Sequence, residues 1–261
     1  LVDNPILNSP FEEPTRYWAY EEGQPVLKDG RCPAGYYLKA RTRGPQMALL
    51  EEEFISLELV NTIRERVKAW WERGYPGVTP ITRQLLNHWN HPERERKLFF
   101  CQREAAETLI DWWKPLRRKN KDRNPQGQRT YSLHLQNGNW IWQDRRHGTD
   151  HRLQVLNKLA NPQDRRFSDA VLLVCPNLTI KERLQVLLPW KPGNYYEKFD
   201  LVPRGMMERL QQGRFQITNW HLFQPKDDSR SRSVVRRGVE SDTAFCRRVL
   251  KELGSKQNIL V

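Results

Sequence analysis

The sequence predicts an α/β chain: a parallel sheet with helical crossovers in the second half, preceded by an extended aromatic arm and a helical region. Three observations lead there. Phe167 to Cys175 (Phe-Ser-Asp-Ala-Val-Leu-Leu-Val-Cys) is a near-continuous apolar run, the pattern of a parallel strand covered on both faces. Helical segments at 179–187 and 206–211 separate it from a second strand at Arg214–Asn219. A further helix at 243–253 leads to a third apolar run, Asn258–Val261. Strands alternating with helices argue for a parallel sheet with right-handed crossovers.

Composition narrows the class. The chain has 261 residues, a net charge of +13 and ten tryptophans. Its mean hydropathy is −0.83 and its pI about 9.8. That many aromatics argues against a disordered chain. The charge points to a phosphate-backbone partner, since Lys and Arg gain by releasing counterions; a solvated basic surface is the plainer explanation. Cys32, Cys101, Cys175 and Cys246 show no metal-ligand or redox spacing. Cys101 and Cys175 sit in apolar runs and read as core residues of a reduced, cytoplasmic protein. No apolar run is long enough to span a bilayer.

Taken in order, residues 1–45 are rich in Pro, Gly and aromatics and read as an extended arm, with a basic cluster at Lys39, Arg41 and Arg43. Residues 46–73 read as a helix, with Leu57, Val60, Ile63, Val67 and Trp70 at helical spacing, stopped by Gly74-Tyr75-Pro76-Gly77. Thr82–Trp89 is a shorter helix; His88 and His91 complete no ligand cluster and read as satisfied surface groups. The charged run 93–97 leads into an amphipathic helix over Leu98–Trp113, and 114–130 reads as a solvated linker. Tyr131–Gln154 fits neither helix nor strand, and a helix tail follows at Leu153–Leu159. Thr179 is the expected cap of the helix after Cys175, with Glu182 three residues on. Residues 193–203 and 226–237 read as loops, the second charged.

Several separated motifs resemble a known family. Asn61-Thr62-Ile63-Arg64-Glu65-Arg66-Val67, Glu93 through Ala105, Leu173-Val174-Cys175-Pro176-Asn177-Leu178-Thr179-Ile180 and Ile217-Thr218-Asn219-Trp220-His221 are similar to bacterial DEAD/DEAH-box helicase-like proteins of the type III restriction enzyme Res subunit kind. The resemblance implies an incomplete RecA-like parallel sheet, preceded by the N-terminal arm and helical region. On it, residues 1–92 form the N-terminal region and 93–261 a partial first helicase domain. It assigns Gln102 to reading an adenine edge, a task for a group that donates and accepts at once. Pro176, Asn177 and Thr179 match the loop and helix start that hold a DNA backbone. Thr218 matches a strand-end position beside the same DNA. The resemblance implies ATP and Mg as cofactors of the intact family, double-stranded DNA as partner, and a modification methyltransferase as a further subunit.

Two family elements are missing. No Gly-Lys-Thr or Gly-Lys-Ser occurs, and the chain stops at Asn258–Val261, before the expected Asp-Glu-Ala-His box. The phosphate loop belongs where 131–153 stands. Reading Gln136 to Arg152 one base later explains the gap: Trp140-Ile141 forces a glycine codon and Trp142-Gln143 forces another. Gln143-Asp144 then allows only lysine or arginine, so the shifted frame can encode Lys-Met-Ala-Thr-Gly-Ser-Gly-Lys-Thr, a phosphate-binding loop. The expectation is therefore a translocase fragment without ATPase chemistry, its segment Tyr131–His151 exposed and irregular. The alternative is a non-catalytic basic DNA- or protein-binding module. Resequencing the gene checks the frame argument: compensating one-base corrections near residues 128–131 and 152–154 are expected, and an unchanged reading frame refutes it.

Overall fold

The computed structural model describes residues 6–21, 24–39, 52–113, 151–223 and 241–261. The chain divides into two compact units, Leu1–Gly77 with Lys97–Pro115, and Val78–Arg96 with Leu116–Val261. The helix after residue 99 folds with the first unit, and residues 78–96 with the second.

In the first unit, strands β1 (Arg16–Glu21) and β2 (Gln24–Asp29) pair antiparallel. So do β3 (Gly35–Lys39) and β4 (Glu52–Ser56). The extended arm expected over 1–45 is thus largely two ribbons, and β4 takes part of the helix expected over 46–73. Cross-strand pairs account for this: Tyr36 lies opposite Ile55, and Tyr37 opposite Phe54 with ring centroids 5.2 Å apart. Aromatic and β-branched pairs of this kind stabilise a ribbon. Helix α1 (Glu58–Glu72) follows. Its Asn61 side chain accepts from the Ala34 amide at 2.8 Å and donates to the Ala34 carbonyl at 3.2 Å, tying the helix to the start of β3.

The stop at Gly74 is as expected. Gly74 N–H donates to the Trp71 carbonyl and Tyr75 N–H to that of Trp70, with Gly74 at φ 71°. This is the paired closure in which a left-handed residue satisfies the last carbonyls, and glycine adopts it without a Cβ penalty. The Tyr75 ring then meets Trp70 edge-on at 4.8 Å, and its hydroxyl donates to the Glu107 carboxylate of α3 (Phe100–Trp113). Val67 and Trp70 of α1 and Ala106, Leu109 and Ile110 of α3 are buried. Cys101 was expected in this core, yet it is exposed, because it falls off the stripe traced by Gln102, Ala106 and Leu109.

The second unit is built on β5 (Ala170–Cys175) and β6 (Arg214–Asn219), paired parallel from Ala170 beside Arg214 to Cys175 beside Asn219. On the other edge of β5, Leu260 N–H donates to the Ala170 carbonyl at 2.9 Å and the Leu260 carbonyl accepts from Leu172 N–H at 2.7 Å. The segments expected to be parallel neighbours are neighbours, although the third is a single bridge. The strand expected from Phe167 begins at Ala170. Ser168 Oγ accepts from the Ala170 amide and donates to the Asn258 carbonyl at 2.6 Å, turning the chain into the strand and holding its C-terminal neighbour.

Helix α2 (Pro80–Trp89) precedes the sheet and α4 covers residues 151–160. Thr79 caps α2 by accepting from the Thr82 amide, with Pro80 in the first turn. The Thr79 hydroxyl also meets Asn157 of α4, whose Nδ2 donates to Thr82 Oγ1 and the Leu153 carbonyl. Around this polar tie, Leu85, Leu86, Leu153, Val155 and Leu156 are fully buried. The helix after β5 is α5 (Leu178–Arg183), continued by a 3₁₀ turn to Leu187. The loop expected over 193–203 contains a short helix α6 (Tyr195–Lys198), and α7 (Arg204–Leu210) precedes β6. Helix α8 (Asp242–Leu250) passes into a 3₁₀ turn, and Leu250, Leu253, Phe223 and Ile259 pack against Ala170 and Leu172.

Most of the segment expected to be irregular and exposed lies outside the described residues, as do 114–130 and 226–237. At its C-terminal boundary the expectation is corrected. His151 is 3% exposed and Arg152 0%. The guanidinium stands 4.2 Å from the centroid of the Trp89 ring, and His151 meets the Phe215 ring edge-on, so an aromatic wall replaces water for both.

Gly213 sits where the turn into β6 crosses α4: an added Cβ would lie 2.6 Å from Val155 Cγ1 and 3.1 Å from the Leu210 carbonyl. Gly213→Ala is expected to lower unfolding stability by about 1–3 kcal/mol, the cost typical of overpacking, measured as a shift of the urea midpoint.

Candidate nucleic-acid interface

β5 and β6 end in register, so the segments that leave them emerge side by side at the carboxyl edge of the sheet. In parallel α/β sheets this edge is where ligands bind. Pro176, Asn177, Leu178 and Thr179 leave β5, and all are exposed. Asn219, Trp220 and His221 leave β6, with Trp220 and His221 exposed. Three of the residues singled out for DNA, Pro176, Asn177 and Thr179, therefore lie on one surface next to the end of β6.

Local geometry changes their roles. The expected cap of α5 was Thr179; the cap is Asn177, whose Oδ1 accepts from the Ile180 amide at 2.8 Å. Asn177 is extended (φ −151°, ψ 174°), as a capping residue should be, whereas Thr179 is already within the helix. Its side chain therefore consumes one of the amides an anion would otherwise meet, and those of Leu178 and Thr179 are the nearest others in that turn. Thr218 is 5% exposed and lies opposite Val174 within the ladder. Its carbonyl accepts from Cys175 Sγ at 3.1 Å, and burial raises the Cys175 thiol pKa. Thr218 shapes the strand end from beneath the surface.

Gln102 belongs to the first unit. It is 5% exposed, and its Oε1 accepts from the Phe99 amide at 3.0 Å. That is the return half of a capping box, in which the third helical residue reaches back to the amide that precedes the helix. Reading an adenine edge takes a donor and an acceptor together, and here the acceptor is committed to the helix start.

Sequence reasoning missed one further cluster in the second unit. Arg94, read only as part of the charged run before a helix, is 8% exposed. Its guanidinium donates to the carbonyls of His88, Phe199 and Asp200, at 3.2, 3.3 and 2.6 Å. His88 Nε2 donates to the same Asp200 carbonyl at 2.9 Å and Trp89 Nε1 to that of Leu201 at 2.9 Å. Asp200 is left-handed (φ 49°), which turns these carbonyls toward α2. Burial lowers the Arg94 pKa, and the Asp200 carboxylate partly opposes this. Beside the clamp is a cavity of about 470 Å³, with Tyr196 and Met207 among its walls and Arg96, Arg204, Glu197 and Asp200 in its lining. Glu95 lines it as well, so three acids face two bases, a mixed lining that excludes no charge class by itself.

No protein-family model matches the chain, and no significant match to a curated protein or a solved structure was found. Among the described residues, no helix is long and apolar enough to cross a membrane.

Gln102→Leu tests the capping role. It is expected to cost about 1 kcal/mol, the usual worth of a helix cap or a buried hydrogen bond, read as a lowered midpoint of thermal unfolding.

Proposed function

We propose that this chain is the N-terminal part of an ATP-driven DNA translocase or helicase of the restriction Res-subunit kind, which binds DNA but does not itself hydrolyse ATP. The observation that carries this reading is the parallel pairing of β5 with β6 on one side and Leu260 on the other, with Pro176–Thr179 exposed at the carboxyl edge. A RecA-like sheet would present its DNA-holding loops in that way. The net charge of +13 suits a phosphate backbone. Double-stranded DNA is the partner in this reading, with a modification methyltransferase as a further subunit.

ATP and magnesium belong to the intact family, and the residues here do not fit them. The sequence has no Gly-Lys-Thr or Gly-Lys-Ser, so no loop lysine can meet the phosphates. Gln102 has its acceptor engaged. These features equally favour the second reading, a basic binding module without nucleotide chemistry. That second reading is a basic DNA- or protein-binding module, and resequencing separates it from a translocase fragment by ancestry.

The purified chain is expected to bind duplex DNA with an affinity that falls steeply with salt, by about 0.9 log units per log unit of salt for each phosphate neutralised. It is expected to release no phosphate from ATP with or without DNA. DNA-stimulated hydrolysis would overturn the non-catalytic reading; salt-independent or absent binding would overturn the DNA reading.

A further inference from the structure

The cavity beside the Arg94 clamp has a charged lining that the DNA reading does not use. Glu95, Arg96, Glu197 and Arg204 line it, and all four are exposed. Opposite charges on one rim can pair off and leave nothing for a ligand, as Lys28 and Glu21 do elsewhere at 2.5 Å. Here they do not: among the described residues, none of these four side chains takes part in an ion pair or a hydrogen bond. The third acid of the lining, Asp200, is already engaged. Its carboxylate stands 3.5 Å from the Arg94 guanidinium and 3.3 Å from His88 Nε2. What remains for a ligand is two carboxylates and two guanidiniums.

The backbone that carries these groups is anchored. Glu95 and Arg96 directly follow Arg94, whose guanidinium is fixed by three carbonyls. Glu197 lies in α6, where its amide donates to the Asn194 side chain at 3.0 Å. Arg204 opens α7. Behind them Tyr196, Val202 and Met207 are buried, and the Tyr196 hydroxyl is spent on the Leu187 carbonyl. The back wall is thus apolar and the charge is confined to the rim. A volume of about 470 Å³ is in the range of small-molecule sites.

We propose that this cavity binds a small zwitterion, a molecule with an ammonium and a carboxylate on a short apolar body, as in a free apolar amino acid or a dipeptide. An anion alone, such as a phosphate, would meet two guanidiniums and two opposing carboxylates. A cation alone would meet the reverse. A molecule with both charges uses all four groups. Guanidiniums donate charge-assisted, often bidentate, hydrogen bonds to a carboxylate, and carboxylates accept from an ammonium. The apolar body then faces Val202 and Met207. The proposal is independent of DNA binding and would stand if the chain bound no DNA.

The test is isothermal titration calorimetry on the full chain with two probes, L-leucine and leucyl-leucine. Each is also used in an N-acetylated form that lacks the ammonium and an amidated form that lacks the carboxylate. At least one free probe is expected to bind at millimolar concentration or below. Its blocked forms should bind about tenfold more weakly, the scale of one lost charge-assisted hydrogen bond. Arg96→Gln together with Arg204→Gln is expected to weaken the free probe to the level of its amidated form, and to leave the amidated form no weaker. Glu95→Gln together with Glu197→Gln should act in the same way relative to the N-acetylated form. All four side chains are exposed, so the melting temperature of both double variants is expected to match the wild type. If neither free probe binds, the proposal is overturned. It is equally overturned if a blocked form binds as tightly as its parent, which would make the cavity a site for ions of one sign. If either double variant leaves the free probe unweakened, the binding lies elsewhere and the proposal fails.

Discussion

The second unit depends on the backbone of β5 being satisfied on both edges. A buried strand with one bare edge leaves amides and carbonyls without partners, and each such group costs free energy comparable to a lost hydrogen bond. β6 supplies partners on one side and Leu260 on the other. Side chains reinforce the second contact. Ser168 donates to the Asn258 carbonyl, Lys256 Nζ meets Asp169 Oδ2 at 2.5 Å, and Asn258 Nδ2 donates to the Arg165 carbonyl at 2.7 Å. With β5 held in register, both strand ends are held too, and the candidate interface inherits its geometry from the ladder.

The core around this strand is not uniformly apolar. Asn157 joins Thr79 and Thr82, Gln154 Oε1 accepts from the Ser168 amide at 3.1 Å, and Tyr196 donates to the Leu187 carbonyl at 3.0 Å. Burial raises the Tyr196 pKa, so it stays a neutral donor. Buried polar groups of this kind confer specificity, because a shifted packing would strand them. Arg152 is fully buried with its guanidinium over the face of Trp89.

Elements whose pattern is local were legible in the sequence. β6 has the expected bounds, and the glycine after α1 closes that helix as its type suggests. Errors arose where tertiary partners decide. Nothing near Glu52 announces that it ends up across from Lys39, so the β3–β4 ribbon was hidden behind a helical pattern that starts only at α1. Asn177 and Thr179 are both capping types two residues apart, and the path leaving β5 chooses between them. Composition alone could not separate Arg94 from Arg96, one buried and one exposed in the same charged run. For Gln102 the residue type was right for two tasks, and only geometry shows that it is occupied with its own helix.

The clamp on residues 199–201 has a consequence for how the chain can change over time. His88, Trp89 and Arg94 all recognise main-chain carbonyls there, so apart from the Asp200 carboxylate, 3.5 Å from the Arg94 guanidinium, the grip does not read side-chain identity on the loop side. Substitution should therefore be asymmetric. The half-buried Phe199 can vary while the backbone keeps its path, whereas the left-handed Asp200 is limited to residues such as Asn or Gly that accept that conformation. The donors have no such latitude. Lysine in place of Arg94 could not reproduce a planar fork that spans three carbonyls, so charge conservation alone would not preserve the joint.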